Sequence, residues 1–282
     1  MKYNKLFNGI LLMAMLSVVA FGCKKKENVI PEPSNPVAPA SPTDGYTKLG
    51  NAYATGAGVM VEVYGKEAAF TGYNQIYIAL RDSITNDFVE SADIKLAPKM
   101  QMATMSHAAP FENPASATAV NKLFPATVSF IMSSSTGTWT LGVQVQNFAN
   151  NKTGTAQVTI EVKDPTPMKM FSFISPVDSG KYFIGFIPPA NPTTGLNDFE
   201  FVVYKKASMM MFPPDSSMTV TFEPEMPTMN HGSPNNVQPV HVGKGHYKGK
   251  VNFTMPGLWR MHMEFKSGNT VVDATHYFDF TL

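Results

Sequence analysis

The sequence predicts an all-β chain: two tandem antiparallel β-sandwich domains behind a signal peptide and a Pro-rich linker. Three observations carry that reading. Short runs alternate apolar with polar residues, Gly, Pro, Asn and Ser clusters break the chain at intervals of roughly ten residues, and no stretch sustains a helical period. The 282 residues are 44% hydrophobic but only 15% charged, and 22 Pro outnumber 12 Leu. A chain of that length holds one large or two ordinary domains, and such a composition favours strands and turns.

The first element is the N-terminus, residues 1–22. Lys2 and Lys5 precede an apolar run from Ile10 to Ala20, and Gly22 stands directly before Cys23. The pattern resembles a bacterial lipoprotein signal, although Ala20 stands where such signals usually carry Leu. The resemblance implies cleavage before Cys23, lipidation of its thiol, and anchorage in a membrane of the cell envelope. As the single cysteine of the chain, Cys23 leaves no internal disulfide, Cys-based zinc site or dithiol chemistry.

Residues 23–44 carry Lys24-Lys25-Lys26 and then a Pro- and Ser-rich run, expected as a semi-extended spacer. The lysines read either as an attraction to anionic headgroups or as the solvated start of a tether. Removing Lys2 and Lys5 changes the balance of 22 basic and 21 acidic residues to 20 against 21, or −1. No basic footprint for nucleic acid exists.

An internal repeat divides the rest. Gly72-Tyr73-Asn74 recurs as Gly195-Leu196-Asn197. Pro98-Lys99-Met100 with Thr104-Met105-Ser106-His107 recurs as Pro224-Glu225-Met226 with Thr228-Met229-Asn230-His231. Phe130, Met132, Gly137 and Trp139 recur as Phe253, Met255, Gly257 and Trp259. Three blocks in one order place a first domain at 45–164, a joint at Asp164–Pro167 and a second domain at 168–282. Within each, strands are read from alternation: Trp139, Leu141, Val143 and Val145 in the first, Trp259, Met261, Met263 and Phe265 in the second. About seven short strands per repeat suggest an immunoglobulin-like sandwich.

The repeats share a methionine–histidine segment, and the chain has 19 Met against 12 Leu. In the second domain it offers Met226, Met229 and His231; in the first, Met100, Met102, Met105 and His107. The prolines suggest a strand end running into a loop, and a bend near Pro227 would gather the three side chains. Thioethers with an imidazole form a soft, neutral ligand set suited to Cu(I), and thioethers need no deprotonation. Met also packs cores and contacts aromatics, so the same residues read equally as packing under a loop. Met209-Met210-Met211-Phe212 reads either as an exposed loop with spare soft ligands or as a buried turn.

Second-rank metal candidates are His241 and His246, read as a hairpin in which Val242 pairs with Tyr247 and the histidines share the polar face. His262 and His276 read as structural. The order Pro-x-Met-Pro-x-Met-x-His-Gly, Gly-x-Gly-x-Tyr at 243–247 and Met-Pro-Gly-Leu-Trp at 255–259 resembles the YtkA-like domain, related to FixH-type domains of bacterial envelope proteins. The resemblance is weaker in the first domain, which lacks the Gly-x-Gly-x-Tyr hairpin. It implies an immunoglobulin-like sandwich on the extracytoplasmic side and, in some relatives, copper handling.

No enzyme is expected: no nucleophile elbow, zinc-binding helix motif or phosphate loop is present, and the carboxylates are scattered. Two functions remain. One is an envelope-anchored, periplasmic or surface-exposed lipoprotein that binds Cu(I) for buffering or hand-over to another envelope metal-handling protein. The other is a non-catalytic recognition module for a protein or glycan, with Tyr73, Tyr77 and Phe111 as its contact aromatics.

Overall fold

Alternation decides the strands, and burial follows its parity. On the strand that carries them, Trp259, Met261, Met263 and Phe265 are buried while His262 between them is exposed. A computed structural model describes residues 41–282, and Ser41–Leu282 cluster as one compact unit. The expected signal peptide, Cys23 and the linker as far as residue 40 lie outside the described residues.

The first sandwich comprises β1 (Thr47–Ala54), β2 (Val59–Gly65), β3 (Gly72–Asp82), β4 (Ala92–Gln101), β5 (Ser106–Ala108), β6 (Phe111–Glu112), β7 (Phe124–Phe130), β8 (Thr138–Asn147) and β9 (Lys152–Ile160). The second comprises β10 (Met170–Ile174), β11 (Lys181–Ile187), β12 (Gly195–Lys205), β13 (Met218–Met226), β14 (His231–Gly232), β15 (Val237–Gly243), β16 (His246–Phe253), β17 (Leu258–Ser267), β18 (Thr270–Asp273) and β19 (Tyr277–Thr281). One sheet of the first has the order β1-β2-β3-β7-β6 and the other β5-β4-β8-β9. The second repeats the plan as β10-β11-β12-β16-β15 and β14-β13-β17-β18, with β19 also on β17. The fold is therefore all-β with two tandem antiparallel sandwiches, as the sequence predicts. The helical element among the described residues is a 3₁₀ turn at Ser134–Thr136.

Each pair of sheets closes on its own core. The first is mainly aliphatic, with Val61, Ile76, Leu80, Val143 and Val158 around Phe124 and Phe130. The second is aromatic, built on Phe199, Phe201, Phe222, Phe253, Phe265 and Phe278. Aromatic rings bury 150–250 Å² each, so few side chains fill this core.

Two repeat features have direct structural causes. Asn74 Oδ1 accepts from Phe70 N–H at 3.0 Å, and its Nδ2 donates to the Phe70 and Gly72 carbonyls at 2.7 and 2.8 Å. Asn197 makes the same three bonds to Thr193 and Gly195, at 2.9, 2.7 and 2.8 Å. Each buried amide closes the loop that feeds β3 or β12, satisfying backbone groups the ladder cannot reach. The strand end running into a loop is as read, since β13 stops at Met226 and the chain turns from Pro227, but Pro224 and its counterpart Pro98 lie within the strands. β4 runs through Pro98, paired with Leu141, and β13 through Pro224, paired with Met261. Pairing on the other side begins only at Lys99 and Glu225, so the missing N–H falls where no ladder bond is due.

The hairpin register also differs. β15 breaks register between Val237 and Val240 and again between His241 and Gly243, so His241, not Val242, pairs with Tyr247. His241 thus shares the face of Tyr247, and His246 lies on the opposite face. β15 is an edge strand carrying Pro239, with Val237, Val240 and Val242 exposed.

The two sandwiches meet along a seam. Ala108, Tyr73 and Ile131 of the first pack with Met170, Phe183, Val202, Tyr204 and Phe212 of the second. At its edge, His246 places Nδ1 2.6 Å from Glu200 Oε1 and Nε2 3.0 Å from Glu112 Oε1. Lys244 and Lys248 cap the second oxygens of Glu112 and Glu200 at 2.9 and 3.1 Å. Burial pushes His246 down, but the Glu200 and Glu112 carboxylates outweigh it, and its pKa is raised overall. Burial raises Tyr73 to about 12, so its hydroxyl stays protonated.

Candidate metal centre

β5, β4 and β8 lie side by side, and one row across them carries three of the repeated residues. Met100 is the cross-strand partner of His107 on one side and of Trp139 on the other. Directly paired residues share a face, and here that face is the core: His107, Met100 and Trp139 are 3%, 0% and 1% exposed. The His107 ring stands edge-on to Trp139, centroids 5.2 Å apart and planes at 82°.

Hydrogen bonding fixes the tautomer of the imidazole. Nδ1 lies 2.9 Å from the Ala108 carbonyl oxygen, which can only accept, so Nδ1 carries the proton. In the neutral ring Nε2 is then a bare lone pair, and it is buried without a partner. An unmet buried acceptor costs about 1–3 kcal/mol. Such a nitrogen, oriented by a carbonyl on its far side, has the arrangement of a metal-ligating histidine.

Trp139 Nε1–H donates to the Met132 carbonyl at 2.9 Å, which locks the indole in the row. Gly137 leaves room beside it: a Cβ there would lie 2.5 Å from Gln101 O and 3.1 Å from Met100 Cε. The remaining thioethers of the segment stand nearer the surface. Met102 packs against the core margin, its N–H donating to the Met105 carbonyl at 2.9 Å, and Met105 is 51% exposed.

The second sandwich repeats the row in a more open form. Met226 pairs with His231, and the last rung toward β17 is Glu225 with Arg260, so Trp259 follows opposite Met226. Trp259 Nε1–H donates to the Met255 carbonyl at 3.0 Å, and a Cβ on Gly257 would lie 2.6 Å from Met226 Cε. Met226 and Trp259 are buried, but His231 is exposed, its Nε2 3.5 Å from Thr254 Oγ1 and its ring 6.4 Å from Trp259. Met229 occupies the turn, its N–H donating to Met226 O at 3.1 Å and its side chain 59% exposed. The fold thus joins Met226 to His231 and leaves Met229 facing solvent.

The other histidines are engaged elsewhere. His246 has both nitrogens on carboxylates, and His241 Nε2 accepts from Gly245 N–H at 3.3 Å. Since they lie on opposite faces, they do not form the shared pair read from the sequence. His262 meets Glu225 at 2.7 Å, and His276 meets Asp273 while stacking on Phe171. Among the described residues no group of three or more His, Cys, Asp and Glu is placed to hold a metal ion. Of the contact aromatics, Tyr73 joins the seam, Tyr77 packs on Tyr46 at 4.6 Å, and Phe111 is 39% exposed. Trp139, Trp259 and the glycines beside them enter the site only in the structure; their signal was the repeat, which puts both tryptophans at equivalent positions.

Residues 179–264 match the family model described as YtkA-like. The match runs from just before β11 through most of β17 and includes Met226, Met229 and His231. No curated protein matches the chain. Among solved structures, the chain is similar to domains 5-6 of the S-layer protein SbsC, at 13% identity over 83% of this chain and 98% of that chain, with a TM-score of 0.30.

Proposed function

We propose that this chain, whose second sandwich carries a YtkA-like domain, binds a soft monovalent metal ion, Cu(I) in the envelope, for buffering or hand-over. One observation carries the reading: the buried, unpartnered Nε2 of His107 in a row with Met100 and Trp139, repeated as His231, Met226 and Trp259. The donors fit the ion. Imidazole nitrogen and thioether sulfur favour Cu(I) over hard cations, and an indole face beside them attracts a cation.

His107 Nε2 and Met100 Sδ would hold the ion in the first sandwich, with Met102 reached by movement of the Met102–Met105 turn. His231 and Met226 would do so in the second, with Met229 free to close over them. The closed first row favours retention and the open second row favours exchange, a division suited to passing an ion between partners. Membrane attachment through Cys23 and a metal-handling protein partner complete the proposal.

The test is competition for Cu(I) against a chromophoric chelator, without oxygen, on the full chain in detergent. Wild type should withdraw metal from the chelator. His107→Ala should lose the first site, and Met226→Ala with His231→Ala the second. Negligible competition by wild type would sink the copper reading and leave a recognition role for exposed aromatics such as Phe111.

A further inference from the structure

The run Met209-Met210-Met211 lies outside both rows, and its geometry is unusual. It occupies the loop between β12 and β13, where the three side chains are 36%, 54% and 61% exposed. The exposure is built in. The Ala207 and Ser208 N–H groups donate to the Met211 carbonyl at 3.0 and 3.1 Å, and Met210 N–H donates to Ser208 Oγ at 3.2 Å. Phe212 is buried at the seam with its ring 5.7 Å from Phe183. Both ends of the run are therefore held while its thioethers face solvent. Polar residues fill such loops at less cost, since each exposed apolar group forgoes the gain of burial.

The loop also touches the first sandwich at one telling point. Met209 O accepts the Ala108 N–H at 2.9 Å, and Ala108 follows His107 in β5. At the opposite end of β5 stands exposed Met105. Soft donors thus flank both ends of the strand that carries the bare His107 nitrogen.

We propose that Met209, Met210 and Met211 form a surface docking pad for a soft monovalent cation, and that the pad loads the His107 row of the neighbouring sandwich. The loading step rests on the reading of that row as a metal site. Thioethers alone bind Cu(I) and Ag(I) without releasing protons, and a pad of exposed, unburied sulfurs exchanges its ion readily. Capture followed by transfer to an oriented imidazole is a ligand substitution in which the ion keeps its charge.

The experiment uses Ag(I), which resists redox change, on the full chain in detergent with [¹³C-methyl]-Met. Methyl signals are assigned by single Met→Leu variants. Signals of Met209, Met210 and Met211 should shift at the first additions of Ag(I), ahead of Met100. The Met209→Leu, Met210→Leu, Met211→Leu variant preserves side-chain volume and the backbone bonds above; its thermal melt reports that it folds. It should load the His107 row at least tenfold more slowly, with unchanged final occupancy. Unmoved pad signals overturn the pad, and equal loading rates overturn its loading of the row. His107→Ala separates the two claims: pad signals that still shift support capture by the pad itself. Pad shifts in wild type without any change at Met100 would overturn the loading step and the metal reading of the row, but not the capture.

Discussion

His246 Nε2 lies 3.0 Å from Glu112 Oε1 across the seam, while Nδ1 of the same ring lies 2.6 Å from Glu200 Oε1 within its own sandwich. Each nitrogen faces an acceptor, so the ring makes both bonds only as imidazolium. Its pKa in the fold is raised above the ordinary 6.5. The stabilisation is therefore fully present below the unfolded imidazole's value and is lost as pH rises through the folded one. Glu112 and Glu200 are shifted the other way: burial raises them, but Lys244, Lys248 and His246 hold both below their ordinary value, so their contribution fades in acid. Docking of the sandwiches should be firmest in mildly acidic solution. Measured relative to intrinsic rates, protection from hydrogen exchange at β6 and at the β15–β16 turn should fall as pH rises above the ordinary imidazole value, and His246→Gln should flatten that dependence. Glu112→Gln should cost about 1.5–3 kcal/mol, the worth of a hydrogen bond to a charged group.

Asn74 and Asn197 should be the most sensitive polar positions of the two cores. Alanine at either leaves a backbone N–H and two carbonyls of the loop without their amide partner. Each substitution should cost about 2–4 kcal/mol by denaturant titration. Asp in place of Asn keeps the acceptor but loses both donor bonds, and should restore less than half of the loss.

Gly137→Ala is expected to destabilise the first sandwich by about 1–3 kcal/mol, because the new methyl would meet the Gln101 carbonyl oxygen, a backbone atom that cannot swing aside. At Gly257 the nearest atom is the mobile end of Met226, but the backbone φ of 138° itself disfavours a side chain. Combining Gly137→Ala with Met100→Leu should therefore recover little, and urea melts of the two variants would show it.

Soft-metal binding makes a stability prediction as well. At Ag(I) a hundredfold above its dissociation constant, each occupied site should add about 2.7 kcal/mol by linkage, seen as a rise in Tm. His107→Ala should lose the part of that gain that belongs to the first sandwich. Without metal, removal of the orphaned Nε2 should offset part of the cost of the cavity and of the lost Nδ1–H bond to the Ala108 carbonyl, so His107→Ala should destabilise less than other buried large-to-small changes.

Much of the architecture was legible because burial in a sandwich follows a period of two. The alternation at Trp139–Val145 and Trp259–Phe265 gave both inner faces, and the Gly-x-Asn blocks marked equivalent loops. The Met–His segment was legible as chemistry but not as geometry. That Met100 and Met226 point inward while Met105 and Met229 face solvent depends on β4 and β13 running on through Pro98 and Pro224. Which side of the strand lacks a ladder partner has no local sequence signal. The hairpin register escaped for a related reason, since an added residue between His241 and Gly243 reverses the parity of Val240 and His241, and a second one between Val237 and Val240 restores it. The seam was hidden altogether: Glu112 and His246 are 134 positions apart, and their pairing joins two folded units rather than residues in one repeat.

The broken register of β15 has a consequence for how many copies can be packed together. A flat outer strand with exposed Val237, Val240 and Val242 would invite a neighbouring molecule to add a strand and so begin a fibre. Pro239 and the two breaks interrupt the row of backbone donors that such growth requires. A Gly249 side chain would collide with the Val237 carbonyl and Pro239, so the residue beneath the break is as constrained as the break itself. Crowding at high surface density should therefore leave these molecules as separate particles instead of welding them edge to edge.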